Sequence, residues 1–102
     1  MKLTMDDAIR KMMKDGGDLN IYNSDITVLP KNLVVPGDLT MMNAPVSRLP
    51  DGLIVRGSLW LTGCKKLSRL PENLYVGKNI WIKGTKITKI PESVNIGGIV
   101  CK

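Results

Sequence analysis

The chain has 102 residues, 43% of them hydrophobic, two cysteines, no histidine and a formal net charge of +6. That length allows one domain, and two thiols without histidine are too few for a disulfide scaffold or a zinc site. The charge is lopsided. Residues 1–55 hold six Lys/Arg against seven Asp/Glu, whereas residues 56–102 hold nine against two, so the basic half is poised for an acidic surface or a nucleic acid.

Thr4 to Lys14 is predicted to be a helix. Thr4 caps it, Asp7 follows three residues later, Asp6 and Asp7 sit at the positive end of its dipole and Lys11 and Lys14 at the negative end. Met5, Ala8, Ile9, Met12 and Met13 recur at helical spacing on one face, and Asp15–Gly16–Gly17 stops the helix. The acids in this opening stretch stand where a secretory leader would have its apolar centre. With no apolar run near the ~18 residues of a membrane span, the chain reads as a cytoplasmic protein without membrane association.

From residue 17 a unit repeats. The pairs Leu29–Pro30, Leu49–Pro50, Leu70–Pro71 and Ile90–Pro91 are spaced 20, 21 and 20 residues apart. Apolar columns keep step with them: Leu19, Leu39, Leu59, Ile80 and Val100; Ile21, Met41, Leu61 and Ile82; Ile26, Val46, Leu67 and Ile87; Leu33, Leu53, Leu74 and Val94; Val35, Val55, Val76 and Ile96. A fixed period near 20 predicts a solenoid. The first two columns alternate as short strands, parallel because every repeat restarts in the same sense. The second half of each repeat alternates again, as a further extended segment on the opposite side. Gly37, Gly57 and Gly98 share a column and are expected at a bend of positive φ, with Lys78 as the exception. The extra residue of the third repeat lies within 62–66. Residues 1–16 are then an N-terminal cap, 17–97 four repeats, and 98–102 a truncated fifth.

The pattern Leu-x-x-x-x-x-Leu-x-Leu-x-x-(Ser/Ala/Cys/Thr)-x-Leu-x-x-Leu-Pro-x-x-Leu resembles short bacterial leucine-rich repeats, and the added Val-x-Gly of Leu53 to Gly57 is most similar to repeat proteins encoded by bacteriophages. The resemblance implies a mainly β leucine-rich-repeat solenoid whose sheet is the concave, partner-binding face. It departs where the family carries asparagine: Ser24, Ala44, Cys64 (or Lys65) and Thr85 stand there, so the turn backbone must be satisfied in another way.

Function is sought in side chains that the repeat does not need. Asn20, Thr40, Trp60 and Trp81 form an outward column between the inward strand residues, flanked by Asp18, Asp38, Ser58 and Asn79 on one side and by Tyr22, Met42, Thr62 and Lys83 on the other. The two tryptophans fall on neighbouring strands, ~4.8 Å apart, where their rings can stack. Val28, Arg48, Arg69 and Lys89 make a second ladder, followed across the prolines by Asp51, Glu72 and Glu92. Val34, Ile54, Tyr75 and Asn95 make a third column. No nucleophile motif, phosphate loop or metal-ligand cluster is present, so neither catalysis nor a cofactor is expected.

The leading expectation is a non-catalytic module that binds a protein on its sheet face. Tyr22, Met42, Trp60, Trp81 and Lys83 are its contact residues, and Arg48, Arg69 and Lys89 steer an acidic surface. The resemblance adds the role of a phage-type accessory factor acting on a host protein, such as a defence component, in the host cytoplasm. Two alternatives stand beside it: nucleic-acid binding through the basic half, and a structural or assembly role. In the latter the open edge at Ile99, Val100 and Cys101 joins a second copy into a homodimer.

Overall fold

The computed structural model describes residues 2–21 and 25–102. Helix α1 (Met5–Lys14) begins one residue after Thr4, whose hydroxyl accepts a hydrogen bond from the Asp7 N–H at 3.2 Å. The chain then winds as a β-solenoid of parallel two-residue strands. β1 (Leu19–Asn20), β3 (Leu39–Thr40), β5 (Leu59–Trp60), β7 (Ile80–Trp81) and β9 (Val100–Cys101) form a five-stranded sheet in that order. β2 (Val34–Val35), β4 (Ile54–Val55), β6 (Tyr75–Val76) and β8 (Asn95–Ile96) form a four-stranded sheet. Each repeat thus contributes two strands, and the extended second half pairs in its own ladder.

Register follows the sequence columns residue for residue. Leu19, Leu39, Leu59, Ile80 and Val100 are Cα partners along one sheet, and Val35, Val55, Val76 and Ile96 along the other. Side chains alternate across each strand, so these columns point inward and fill the space between the sheets. Leu39, Leu59, Leu53, Leu74 and Ile80 are wholly buried.

Among the described residues, several turns of the repeats place a residue in the left-handed region. Ala44, Cys64 and Thr85 donate their N–H to the carbonyls of Met41, Leu61 and Ile82 at 3.0–3.1 Å, with positive φ at Asn43, Gly63 and Gly84. That is the arrangement of a type II turn, which favours Asn or Gly at its third position. Asn32, Gly52 and Asn73 take the same φ after the prolines. The inserted residue of the third repeat makes an additional turn across Lys65 and Lys66, closed by Leu67 N–H to Cys64 O at 3.1 Å. Cys64 therefore stands in the column of Ala44 and Thr85.

The expectation of positive φ at Gly37, Gly57 and Gly98 is corrected: their φ values are not in that region. The carboxylate of Asp18 accepts from Asp38 N–H, that of Asp38 from Ser58 N–H, and the Asn79 amide oxygen from Ile99 N–H, all at 2.8–2.9 Å. A Cβ on Gly37, Gly57 or Gly98 would collide with the accepting oxygen of Asp18, Asp38 or Asn79. Lys78 is tolerated because the preceding rung carries Ser58, which has no Oδ1 to meet. This polar ladder lies just before the strands. It stands in for an asparagine ladder in satisfying backbone donors, and its members are structural rather than free outward groups.

The two ends of the coil differ. At the N-terminal end α1 packs against β1, and Leu3 N–H donates to Val28 O at 2.9 Å. Of the helix face, Ala8 and Met12 are buried, whereas Ile9 and Met13 are 43% and 79% exposed. In the four-stranded sheet Arg56, Gly77 and Gly97 donate their N–H to the preceding rung. The first residue of that column is Pro36, which has no N–H to leave open. At the other end Ile90, Val94, Ile96 and Val100 are only partly buried, although their counterparts Leu70, Leu74, Val76 and Ile80 are buried.

Candidate functional site

The outer face of the five-stranded sheet carries the outward column Asn20, Thr40, Trp60, Trp81 and, one rung further, Cys101. Trp60 and Trp81 are register partners, and their rings stack face to face with centroids 3.6 Å apart and planes 2° from parallel. Both are half-buried. Each ring therefore covers one face of the other, and Thr40 and Cys101 are the register partners on either side of the pair. Stacking of this kind contributes about 0.5–1.5 kcal/mol beyond burial and holds a large apolar surface rigid before any partner arrives.

The turns on both sides of this pair are basic. Arg56 and Lys78 precede β5 and β7, and Lys65, Lys66, Lys83 and Lys86 follow them, all exposed. No Asp or Glu occurs within 56–71 or 77–91. Lys65 and Lys66 lie in the turn that holds the one inserted residue, and Lys86 stands at the equivalent place in the next repeat. Met42 and Thr62 occupy the same turn position as Lys83 and are half-buried. Tyr22 falls outside the described residues.

Arg48, Arg69 and Lys89 are exposed but stand elsewhere. They line an open groove of about 1380 Å³ along the Leu–Pro column, together with Ser47, Ser68, Thr88, Asp51, Glu72 and Glu92. The groove includes neither tryptophan. The residues expected to form one surface thus divide between two, and the cations that border Trp60 and Trp81 are those of the turns. Val34, Ile54, Tyr75 and Asn95 line up on the outer face of the four-stranded sheet, with Val34 and Tyr75 40% and 45% exposed.

Cys64 is wholly buried, its thiol donating to Met41 O at 2.8 Å. Burial pushes its pKa up from the ordinary 9.0, against a smaller lowering by backbone hydrogen bonds from Ala44 and Asn43. The folded state therefore favours the protonated thiol. Stability from this group is complete below the ordinary thiol range and is lost as pH rises through the elevated folded value. In native protein one thiol per chain, Cys101, should react with a disulfide reagent at pH 8, and both should react in denaturant. Equal native reactivity of both thiols would contradict the burial of Cys64.

Among the described residues no group of three His, Cys, Asp or Glu side chains converges to hold a metal ion, and no helix is long and apolar enough to cross a membrane. Compared with protein-family models, curated proteins and solved structures, the chain matches none.

Sequence reasoning missed two features of this site. The polar ladder of Asp18, Asp38 and Asn79 was signalled by the Gly that follows each in the next rung. The place of Cys101 in the tryptophan column was signalled by Val100, which already belongs to the inward column.

Proposed function

We propose that the chain is a leucine-rich-repeat protein of the short bacterial and phage type, and that it is a non-catalytic module binding an acidic protein surface on the outer face of its five-stranded sheet. The observation that carries this reading is the Trp60–Trp81 stack, half-buried on the outer face, with six exposed cations and no acid in the flanking turns. Aromatic groups held in one geometry lose little entropy on binding and are frequent energetic anchors. Surrounding cations raise the association rate with an acidic partner more than its final affinity. The role that fits is a small accessory factor acting on a host protein, such as a defence component, in the cytoplasm where it is made.

A second reading rests on the outer ring faces of the stack, whose register neighbours Thr40 and Cys101 are small. A nucleobase could lie on Trp81 over Cys101 while Lys83 neutralises its phosphate, as in sequence-tolerant binding of single strands. The two readings separate by experiment. Tagged protein is used to capture partners from host lysate with and without nuclease, and binding is then followed against salt. A protein retained after nuclease treatment by wild type, and lost by Trp60→Ala with Trp81→Ala, is the expected result. Retention by that folded double variant would remove the tryptophans from the site. Capture abolished by nuclease, with an affinity falling steeply in salt in proportion to phosphate contacts, would instead establish the nucleic-acid reading.

A further inference from the structure

We propose that the occupant of the tryptophan face is an extended acidic segment of a protein partner, which leaves Trp81 and follows a band of cations round the adjoining turn. This rests on the binding reading above and names the form in which the acidic chemistry arrives.

The cations beside the stack are not scattered. Lys83, Lys86 and Lys89 recur at every third residue in the rung of Trp81, and Lys65, Lys66 and Arg69 occupy the same stretch in the rung of Trp60. Backbone pairing sets the two rows side by side: Gly63 N–H donates to Lys83 O at 2.9 Å, and Lys86 N–H to Leu67 O at 2.8 Å. All six side chains are exposed. The same stretch of the earlier rungs is different. Residues 42–50 carry Arg48 as their one cation, and residues 22–30 carry Asp25 and no cation. The band thus belongs to the two rungs that carry the tryptophans. Paired rungs lie about 4.8 Å apart, where like charges oppose each other, and an anionic occupant relieves that repulsion.

The route decides the form of the occupant. It starts on the outer face of the five-stranded sheet, where Lys83 stands two residues beyond Trp81. It ends in the Leu–Pro groove, which Arg69 and Lys89 line and neither tryptophan enters. A folded acidic surface resting on the stack cannot also meet Arg69 and Lys89. An extended segment bends with the turn and reaches both. The stack takes an apolar or aromatic side chain at one end of the segment, and the cations take the carboxylates that follow.

Its length is bounded. Glu72 and Glu92 follow the prolines, Asp18 and Asp38 stand on the earlier rungs of the sheet, and all four repel a further acid. The chain from Trp81 to Lys89 spans at most about 28 Å, so about eight extended residues cover the route.

Fluorescence anisotropy of labelled peptides tests this, each a phenylalanine followed by about three, six or nine residues of alternating glutamate and glycine, so that every step adds about 10 Å. Salt of about 0.15 M screens charges more than ~8 Å away. Exposed ion pairs change affinity by up to about five-fold each, so wild type should bind more tightly at every step. Lys86→Glu with Lys89→Glu should weaken the longest peptide about ten-fold and the shortest by no more than about two-fold. Arg56→Glu with Lys78→Glu, on the other side of the sheet, should stay within about two-fold of wild type for both.

Affinity independent of length, or equal losses in the two charge-reversed variants, would overturn the segment and leave the tryptophan anchor in place. So would a wild type that binds none of the peptides yet captures a protein through its tryptophans. Undiminished peptide binding by folded Trp60→Ala with Trp81→Ala would overturn the anchor itself. A single-stranded oligonucleotide of equal charge, bound more tightly than the longest peptide, would overturn the proposal in favour of nucleic acid. Should circular dichroism show a charge-reversed variant unfolded, the wild-type length series decides.

Discussion

Leu59→Ala is expected to destabilise the fold by about 2–5 kcal/mol, a large share of the ~5–15 kcal/mol typical of a whole domain. Leu59 is wholly buried in the middle strand of the five-stranded sheet, with Leu39 and Ile80 as its register partners. A solenoid rung contacts only its neighbours, so a cavity there is not relieved by distant rearrangement and weakens the coupling of both halves. Urea denaturation followed by circular dichroism measures the effect. Trp60→Ala is the control from the next position in the same strand. It removes a half-buried outward ring and should cost no more than about 1–2 kcal/mol, from lost stacking and partial burial. If the two variants were equally destabilised, the inward and outward assignment of the strand would be wrong.

Gly57→Ala should be damaging, because the added methyl meets backbone as well as a side chain. The new Cβ would meet the Asp38 carboxylate and would lie 2.7 Å from the carbonyl oxygen of Gly37, which is backbone and cannot swing aside. Overpacking of this kind costs about 1–3 kcal/mol. Displacing Asp38 from Ser58 N–H adds a lost hydrogen bond of about 1 kcal/mol. Gly37→Ala differs because its closest contact is the Asp18 side chain, with backbone no nearer than 3.2 Å. Asp18→Ser should therefore recover part of the loss in Gly37→Ala, imitating the natural pair Ser58 and Lys78, while Asp38→Ser should recover less in Gly57→Ala. Melting temperatures of the four single and two double variants test this. Equal rescue at both positions would show that the side-chain oxygen, not the backbone, sets the clash at Gly57.

The fold was legible because its period is long and its columns are chemically strict. Leu19, Leu39, Leu59, Ile80 and Val100 could be aligned by eye, and the parallel register follows from that alignment. The stacking of Trp60 on Trp81 was legible for the same reason, since register places equivalent residues one strand apart. The turns were less so. The left-handed residues at Asn43, Gly63 and Gly84 were marked by their type, but the leucine spacing drew attention to the column beside them. Gly37, Gly57 and Gly98 looked like conformational glycines, and they are spatial ones. A sequence records that a side chain is missing without recording whether φ or a neighbour requires it. Arg48, Arg69 and Lys89 share with the tryptophans only an outward position in the repeat. The arc between the sheets turns them into a separate groove, and the path of that arc is not encoded in hydropathy.

Titration of the captured partner by calorimetry measures the central claim most directly, using wild type and three variants that each alter one surface. Trp60→Ala with Trp81→Ala removes the stack, Arg48→Glu with Arg69→Glu reverses the groove, and Tyr75→Ala trims the four-stranded sheet. With anchors worth about 2 kcal/mol or more each, the tryptophan variant should lose at least roughly 100-fold in affinity, where 1.4 kcal/mol is ten-fold. The groove variant should lose far less affinity than the tryptophan variant, and Tyr75→Ala should stay within about two-fold of wild type. Unchanged affinity in the folded tryptophan variant, with a large loss in either of the others, would contradict the account.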